Sequence, residues 1–380
     1  MNAQTVKFKS LFESLKSKIL CGAYDFERPL PSVRALMNRT GLSSSTVRHA
    51  LDELEHAGLV VRTRGRGTFV TKAAMSRKIG LFVPGVSYSE FFPPLVDEVS
   101  RLALENGYAL CLGNVMAEDK SARMRQARET VSEFVAAGVS GVIYQPVEFC
   151  GDPVSLNGEL VGILSKAGIA VVLLDRDIVP SPSRSGYDLV GINNFHAGEL
   201  LARHLLEAGA KRVGYLAGKG RVPLGDRYEG VRSVLEKARR SVRALLLPDS
   251  GSAKGTLLAM ARFRADAIVC ANDGLAAEVM RLLAEKGTRV PHDIMLAGFD
   301  DVRLAALMSP PLTTIRQPIA AIAAAAFACL IGRMEGTASA PVEINLPVTL
   351  VVRDSTRRRA VSKRKNGARL KTSIMKGKGQ

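Results

Sequence analysis

Residues 30–70 read LPSVRALMNRTGLSSSTVRHALDELEHAGLVVRTRGRGTFV, and three changes of pattern within them decide how the chain begins. Ser32 stands before Val33-Arg34-Ala35-Leu36-Met37, which predicts a capped, short helix ending near Gly41. Ser43-Ser44-Ser45 then cap a second helix, in which Val47, Leu51 and Leu54 recur at helical spacing as far as Gly58. Two helices joined by a tight, glycine-containing turn are a helix-turn-helix. Arg48 and His49 lie off the apolar stripe in the first turns of the second helix, where such a helix meets base edges in a major groove. Leu59-Val60-Val61-Arg62 and Thr68-Phe69-Val70 predict two short strands around the turn Thr63-Arg64-Gly65-Arg66-Gly67. The arginines at that tip are placed to touch phosphate or enter a minor groove. Upstream, Phe8, Leu11, Phe12, Leu15 and Ile19 predict a helix over 8–20, stopped by Gly22 and Pro29-Leu30-Pro31. The pattern is a winged helix-turn-helix.

Outward from this head, charge divides the remaining chain. The 380 residues carry a net charge of +17, and it is unevenly spread. Residues 1–75 hold 12 Lys and Arg against 6 Asp and Glu, and residues 76–355 hold 31 against 30. Residues 356–380 hold ten basic residues and no acidic one. A nearly neutral body thus lies between a basic head and a very basic tail. Clustered positive charge attracts polyanions, of which nucleic acid is the commonest in a cytoplasm. The organisation expected is a DNA-binding domain over 1–75, a short polar linker over 71–77, a body over 78–355, and a basic, disordered tail over 356–380.

The head resembles the DNA-binding domain of the GntR family of bacterial regulators. The Pro-Ser-x-Arg start, the Ser-x-x-Thr-Val-Arg helix and the Gly-Arg-Gly-Thr-Phe-Val wing occur in order over about 65 residues. By that resemblance Arg34, Ser43, Ser44, Thr46 and Arg48 contact DNA, together with Arg64, Gly65 and Arg66 of the wing. Many relatives carry arginine directly after the first Ser of the recognition helix, where this chain has Ser44. One base-reading arginine is absent, so the operator sequence cannot be borrowed from relatives.

From Lys78 onward short apolar runs alternate with helical stretches. Candidate strands are 79–83, 108–112, 141–144, 171–174, 189–192, 213–217, 242–247, 267–270 and 295–298, with helices such as 95–105, 197–208 and 273–285 between them. This alternation signals α/β architecture with parallel sheets covered on both faces, and the number of strands implies two sheets. Ligands of open α/β sheets bind beyond the carboxyl ends of the strands. Polar residues stand at those ends: Asp175-Arg176, Asn272-Asp273, Asp300-Asp301 and Gln317, with Arg227 opening a helix after 213–217. Carboxylates, amides and guanidinium forks bind adjacent hydroxyls, and Phe91-Phe92 offer flat faces for a sugar ring. Singly, each has a duller reading, since Asp-Arg after a strand is also a local ion pair and Asn-Asp before a helix is also a cap.

Together the segments LLDRDIV, GINNFHAG, HLLEAGAKRVGYLAG, ANDGLAAEVMRLLAEKGTRVPHDIMLAGFDD, SPPLTTIRQP and LPVTLVVRDST resemble the effector domain of LacI-type repressors, itself similar to periplasmic ribose- and galactose-binding proteins. The resemblance runs from about 78 to 355. It implies a two-lobed, periplasmic-binding-protein-like domain, two parallel sheets flanked by helices, with Phe91, Phe92, Asp175, Arg176, Arg227, Asn272, Asp300 and Gln317 lining the cleft. This set looks most like a ribose-type sugar site, although regulators of this class also bind nucleobases. Two features depart from the usual domain: no Trp occurs, and Arg239, Arg240 and Arg243 crowd one loop. A LacI-type body usually follows a LacI-type head and a hinge helix. Here the head is GntR-like and the linker has no hinge-helix pattern, an order similar to that of the arabinose repressors of Gram-positive bacteria.

Other classes fall away. Cys21, Cys111, Cys150, Cys270 and Cys329 are scattered and contain no C-x-x-C pair, which argues against a disulfide framework or zinc site. The first twenty residues read as no secretory leader, and the longest apolar run, Ile319 to Ile331, is short for a bilayer. A cytoplasmic, nucleoid-associated location follows. No P-loop, H-E-x-x-H or G-x-S-x-G pattern occurs, and Gly218 and Gly220 lack the third glycine of a dinucleotide fingerprint. His196, His204 and His292 have no ligand-like neighbours, and His196 reads as a cap or surface residue. No catalysis, metal or cofactor is expected. The partners expected are double-stranded DNA bearing a pseudo-palindromic operator, a small effector, most simply a sugar, and a second copy of the chain. The Ala-rich 319–331 offers small residues for that contact, and a helix buried within one lobe explains it equally. The alternative is a cytoplasmic sugar-binding protein with no role at DNA.

Overall fold

Ser32 and Ser43 open their helices as the sequence predicts. The computed structural model describes residues 3–20, 24, 28–71, 78–85, 90–117, 119–148, 150–180, 182–217, 225–246, 263–338 and 340–357. In the head, α1 (Ala3–Leu20), α2 (Val33–Thr40) and α3 (Ser44–His56) precede β1 (Val60–Thr63) and β2 (Gly67–Val70). The Ser32 hydroxyl accepts from Ala35 N at 3.2 Å, and Gly41, at φ 68°, ends α2 in a left-handed conformation. Leu11, Leu15, Ile19, Leu36, Val47, Leu51, Leu54 and Leu59 bury together as one core, each large side chain contributing about 1.5–3 kcal/mol. The two strands pair antiparallel, Val60 opposite Val70 and Thr63 opposite Gly67, with 64–66 as the tip.

The body is two parallel sheets. The first lobe runs β3 (Lys78–Val83), α4 (Phe92–Glu105), β4 (Ala109–Asn114), α5 (Lys120–Ala137), β5 (Gly141–Tyr144), α6 (Pro153–Lys166), β6 (Ala170–Leu174) and β7 (Asp188–Ile192). After β7 the chain crosses to the second lobe: α7 (Asn194–Glu207), β8 (Arg212–Ala217), α8 (Gly225–Lys237), β9 (Ser241–Leu246), β10 (Ala267–Cys270), α9 (Asp273–Glu285), β11 (Met295–Ala297) and α10 (Arg303–Leu307). It returns through β12 (Thr314–Arg316) to α11 (Ile319–Met334) and β13 (Glu343–Leu346), then crosses again in β14 (Thr349–Val351). The sheets have strand orders β13-β7-β6-β5-β3-β4 and β11-β10-β8-β9, while β12 and β14 pair antiparallel between them. Central strands such as β5 and β10 are buried at every residue, as apolar runs covered on both faces must be.

Where the structure differs from the sequence reading, packing is the reason. The strand predicted over 108–112 lies at Ala109–Asn114, because Tyr108 turns to pack edge-on against Phe327, centroids 6.3 Å apart. The Ala-rich segment is α11, whose Ile322, Ala323, Ala326, Phe327 and Leu330 are buried within the first lobe. The body does not stop at 355. Thr356 is buried, its hydroxyl 2.7 Å from that of Thr313 and 2.8 Å from His204 Nε2, so the basic segment begins beyond it. The predicted linker over 72–77, the tail over 358–380, Cys21, Gly22, Gly218, Gly220 and Leu247 lie outside the described residues.

Candidate functional site

In the head, Arg34 and Arg48 are exposed, and Arg48 Nε donates to the Ser44 hydroxyl at 3.3 Å. Ser43 is the N-cap of α3, accepting from Thr46 N at 3.3 Å. Thr46 is buried, with its hydroxyl 2.8 Å from that of Ser43, so it completes the cap from inside the helix. His49 stacks on Phe8 of α1, ring centroids 4.4 Å apart, which ties the recognition helix to the first helix. Arg64, Gly65 and Arg66 are exposed at the wing tip, where Gly65 takes φ 75°. Arg62, which the sequence did not single out, bonds Asp52 at 2.5 Å and the Arg48 carbonyl at 3.4 Å, coupling the wing to α3.

The second site lies where the strand ends of both sheets meet. Asp175 follows β6 at φ 66°. Its carboxylate accepts from Arg176 Nη2 at 2.8 Å and from Asn194 Nδ2 at 3.3 Å. Burial alone would raise its pKa, but the Arg176 and Arg227 charges outweigh it and hold the group at about 2. Arg176 also pairs with Glu148. Asn194 opens α7, and its carbonyl oxygen accepts from Arg227 Nε at 2.6 Å. Arg227 continues the chain, donating to the Ala271 carbonyl at 3.1 Å and approaching Asp300 Oδ1 at 3.8 Å. Its guanidinium lies over the Phe299 ring, 3.7 Å from the centroid, a cation–π contact. Asp300 accepts from Gln317 Nε2 at 2.7 Å.

The structure therefore links Asp175, Arg176, Arg227, Asp300 and Gln317 through one residue that sequence reasoning missed, Asn194. Phe299 was missed as well. Both had a signal: Asn194 follows the apolar run ending at Ile192, and Phe299 stands within Gly298-Phe299-Asp300-Asp301. Asn272 stands at the end of β10, with its side-chain oxygen committed to the α9 cap, 2.8 Å from Leu275 N. Phe91 and Phe92 form an edge-on pair, centroids 5.6 Å apart, at the start of α4.

Two glycines fix how closely α7 and α8 approach. A methyl group at Gly198 would lie 2.2 Å from the Arg227 carbonyl oxygen, and one at Gly230 would lie 2.0 Å from that of Phe195. Only glycine permits backbone contact this close, and the contact brings Asn194 and Arg227 into bonding distance.

Behind the cleft stands a carboxylate cluster. Asp273 is fully buried, accepting from the Thr314 hydroxyl at 2.7 Å and Val302 N at 3.0 Å. Burial, reinforced by the charges of Asp300 and Asp301, raises its pKa to about 7. Asp301 accepts from Arg316 Nε at 2.6 Å and Arg353 Nη2 at 2.7 Å, so it grips both β12 and the segment after β14. Asp300 and Asp301 have φ of 107° and 53°. The two adjacent side chains therefore serve different places, one the cleft and the other the crossing strands. His196 is exposed at the start of α7, in keeping with the surface role read from the sequence. Among the described residues no group of His, Cys, Asp and Glu is arranged to hold a metal, and no helix is long and apolar enough to cross a membrane.

Residues 8–70 match the profile of bacterial regulatory proteins of the gntR family, and residues 202–356 match that of the periplasmic binding protein-like domain. The chain is 28% identical over 333 residues to the ribose operon repressor of Halalkalibacterium halodurans, covering 86% of this chain and 93% of the relative. It is 27% identical over 368 residues to the arabinose metabolism transcriptional repressor of Geobacillus stearothermophilus, covering 92% and 98%. Its fold is similar to that of a periplasmic binding protein/LacI transcriptional regulator from Alkaliphilus metalliredigens complexed with D-xylulofuranose. That likeness has a TM-score of 0.60 at 24% identity and covers 74% of this chain and all of the other. The chain therefore joins a gntR-family helix-turn-helix domain to a LacI-type, periplasmic-binding-protein-like domain.

Proposed function

We propose that this protein is a cytoplasmic transcriptional repressor, without catalytic activity, whose grip on its operator is set by a sugar held between the two lobes. The observation that carries the reading is the run Asp175–Asn194–Arg227–Asp300–Gln317, three hydrogen bonds and one ion pair (Arg227 to Asp300, 3.8 Å), which spans both lobes at their strand ends. Alternating carboxylates, amides and a guanidinium suit vicinal hydroxyls, which donate to one and accept from the next. Several of these contacts are now made between protein groups. A ligand that takes them over gains charge-assisted bonds and draws the lobes together, and the half-buried Phe92, backed by the core residue Phe91, supplies an apolar face for the ring.

At the DNA end, Arg34, Ser43, Ser44 and Arg48 read the major groove while Arg64, Gly65 and Arg66 hold the wing on the backbone. Thr46 acts from within by holding the helix start. Two heads on a homodimer read a pseudo-palindrome, and lobe closure alters their spacing. Moving operator occupancy from mostly bound to mostly free takes about 5.5 kcal/mol of differential ligand affinity. The relatives named for ribose and arabinose control favour a pentose. A thermal-shift screen of the full chain against pentoses, hexoses and nucleobases tests this, since a bound ligand raises the melting temperature by mass action. A pentose hit that Arg227→Ala abolishes supports the reading, and a nucleobase hit alone overturns the sugar assignment.

A further inference from the structure

One cationic feature plays no part in the operator head or the cleft. The strands of the second lobe begin at Arg212, Ser241, Ala267 and Met295, all on the rim opposite the cleft. Around that rim Arg212, Lys237, Arg239, Arg240, Arg243 and Arg264 are exposed. The nearby carboxylates have partners of their own. Asp266 accepts from the backbone N–H groups of Lys211 and Arg212 at 2.9–3.2 Å, and Glu236 pairs with Arg232 at 3.3 Å. Among the described residues, Glu207 also stands on this side, at the end of α7.

A second observation adds to the same rim. Ser355 bonds Leu296 in both directions, at the start of β11. The chain therefore leaves the body within about 15 Å of the arginines, three strand spacings across the sheet. Residues 358–380 carry nine further Lys and Arg and no acidic residue. The head, by contrast, joins the body at Lys78, the start of β3, on the far rim of the first lobe.

We infer that this rim is a second, sequence-independent binding surface for duplex DNA, separate from the operator-reading head. Five of the six cations are arginine, whose planar fork matches phosphate. A protein partner would want an apolar or aromatic centre, and none of the exposed large apolar side chains among the described residues falls at 207–213, 236–243 or 263–266. Phosphate contacts need no such centre. The surface would let one molecule hold an operator at one end and a neighbouring stretch of chromosome at the other.

The test uses the full chain carrying Arg48→Ala, Arg64→Ala and Arg66→Ala, so that the head is weakened, and a short duplex of arbitrary sequence titrated against salt by fluorescence anisotropy. Comparison with the unsubstituted chain reports on the head by itself. Adding Lys237→Ala, Arg240→Ala and Arg243→Ala should lower the slope of log affinity against log salt by about 2–3, since each phosphate contact contributes about 0.9. Arg240→Lys with Arg243→Lys should keep the slope, and an unchanged melting temperature shows that each variant is folded. Ending the chain at Arg357 should leave this dependence on the rim in place. The inference fails if the rim substitutions leave the slope unaltered. It fails equally if they abolish binding of polyglutamate while duplex binding persists, which would make the rim a surface for acidic protein.

Discussion

Gly230→Ala is the most incisive perturbation of the cleft, because it alters none of the side chains proposed to bind the ligand. The new methyl group would stand 2.0 Å from the Phe195 carbonyl oxygen, roughly 1.5 Å closer than a relaxed contact. The obstacle is backbone of α7 rather than a side chain that can swing away, so α7 and α8 must separate by about that distance. Arg227 rides on α8 and Asn194 on α7, and their bond is 2.6 Å. A separation of this size breaks it. The loss of one charge-assisted hydrogen bond is worth about 1.5–3 kcal/mol, which is roughly a 10- to 150-fold fall in sugar affinity. Overpacking adds about 1–3 kcal/mol of destabilisation, partly offset by about 1 kcal/mol from alanine's better helix propensity. Calorimetric titration with the sugar identified by thermal shift measures the first, and denaturant unfolding the second. Gly162→Ala is the control, for it lies within α6 and a methyl group there meets nothing within 4 Å. It should leave affinity alone and raise stability slightly. If Gly230→Ala binds sugar as tightly as the unsubstituted chain and unfolds no earlier, the close helix contact does not position the cleft.

Three further outcomes follow from the same geometry. Asp301→Asn keeps a side chain of the same shape but removes the charge that Arg316 and Arg353 share; sugar should still bind within a few-fold, while hydrogen exchange at 314–316 and 349–353 should quicken, and unchanged exchange would show that Asp301 is not the clamp. Asp273, raised to about 7 in the fold, stabilises fully below the ordinary carboxylate range and loses that contribution as pH rises from about 4 to about 7; Asp273→Asn should flatten the fall in melting temperature over that window, and an equally steep fall in the variant would assign it elsewhere. Ser43→Ala removes the α3 cap and should cost about 1 kcal/mol, read as earlier melting of the head and weaker DNA binding with sugar affinity intact; a matching loss of sugar affinity would contradict the separation of roles.

The head was legible almost residue by residue because its signals are local. Ser32, Gly41, Ser43 and the wing glycines act within a few residues of themselves, and the structure uses them as caps and turns. Thr46 and His49 were harder to read, since an exposed-looking helix position gives no hint that Ser43 or Phe8 will claim it. In the body, the buried strands announced themselves as apolar runs, whereas β13, which alternates polar and apolar residues at a sheet edge, and the three-residue β14 passed unnoticed. The polar residues after each strand pointed to the cleft, but which of them touch depends on three crossings between lobes. Asn194 is the clearest case. Beside Asn193 it looks like half of a helix cap, and Asn193 is indeed the cap, accepting from His196 N at 2.8 Å. Only the approach of α8, set by Gly198 and Gly230, turns Asn194 into the link between Asp175 and Arg227.

The most direct test is the affinity of the full chain for its own promoter fragment at fixed salt, measured with and without a saturating amount of the sugar that raises its melting temperature. The account predicts a change of at least tenfold, and predicts that Arg227→Ala removes the sugar's effect while leaving sugar-free binding unchanged. An affinity that stays the same in the presence of sugar would contradict it.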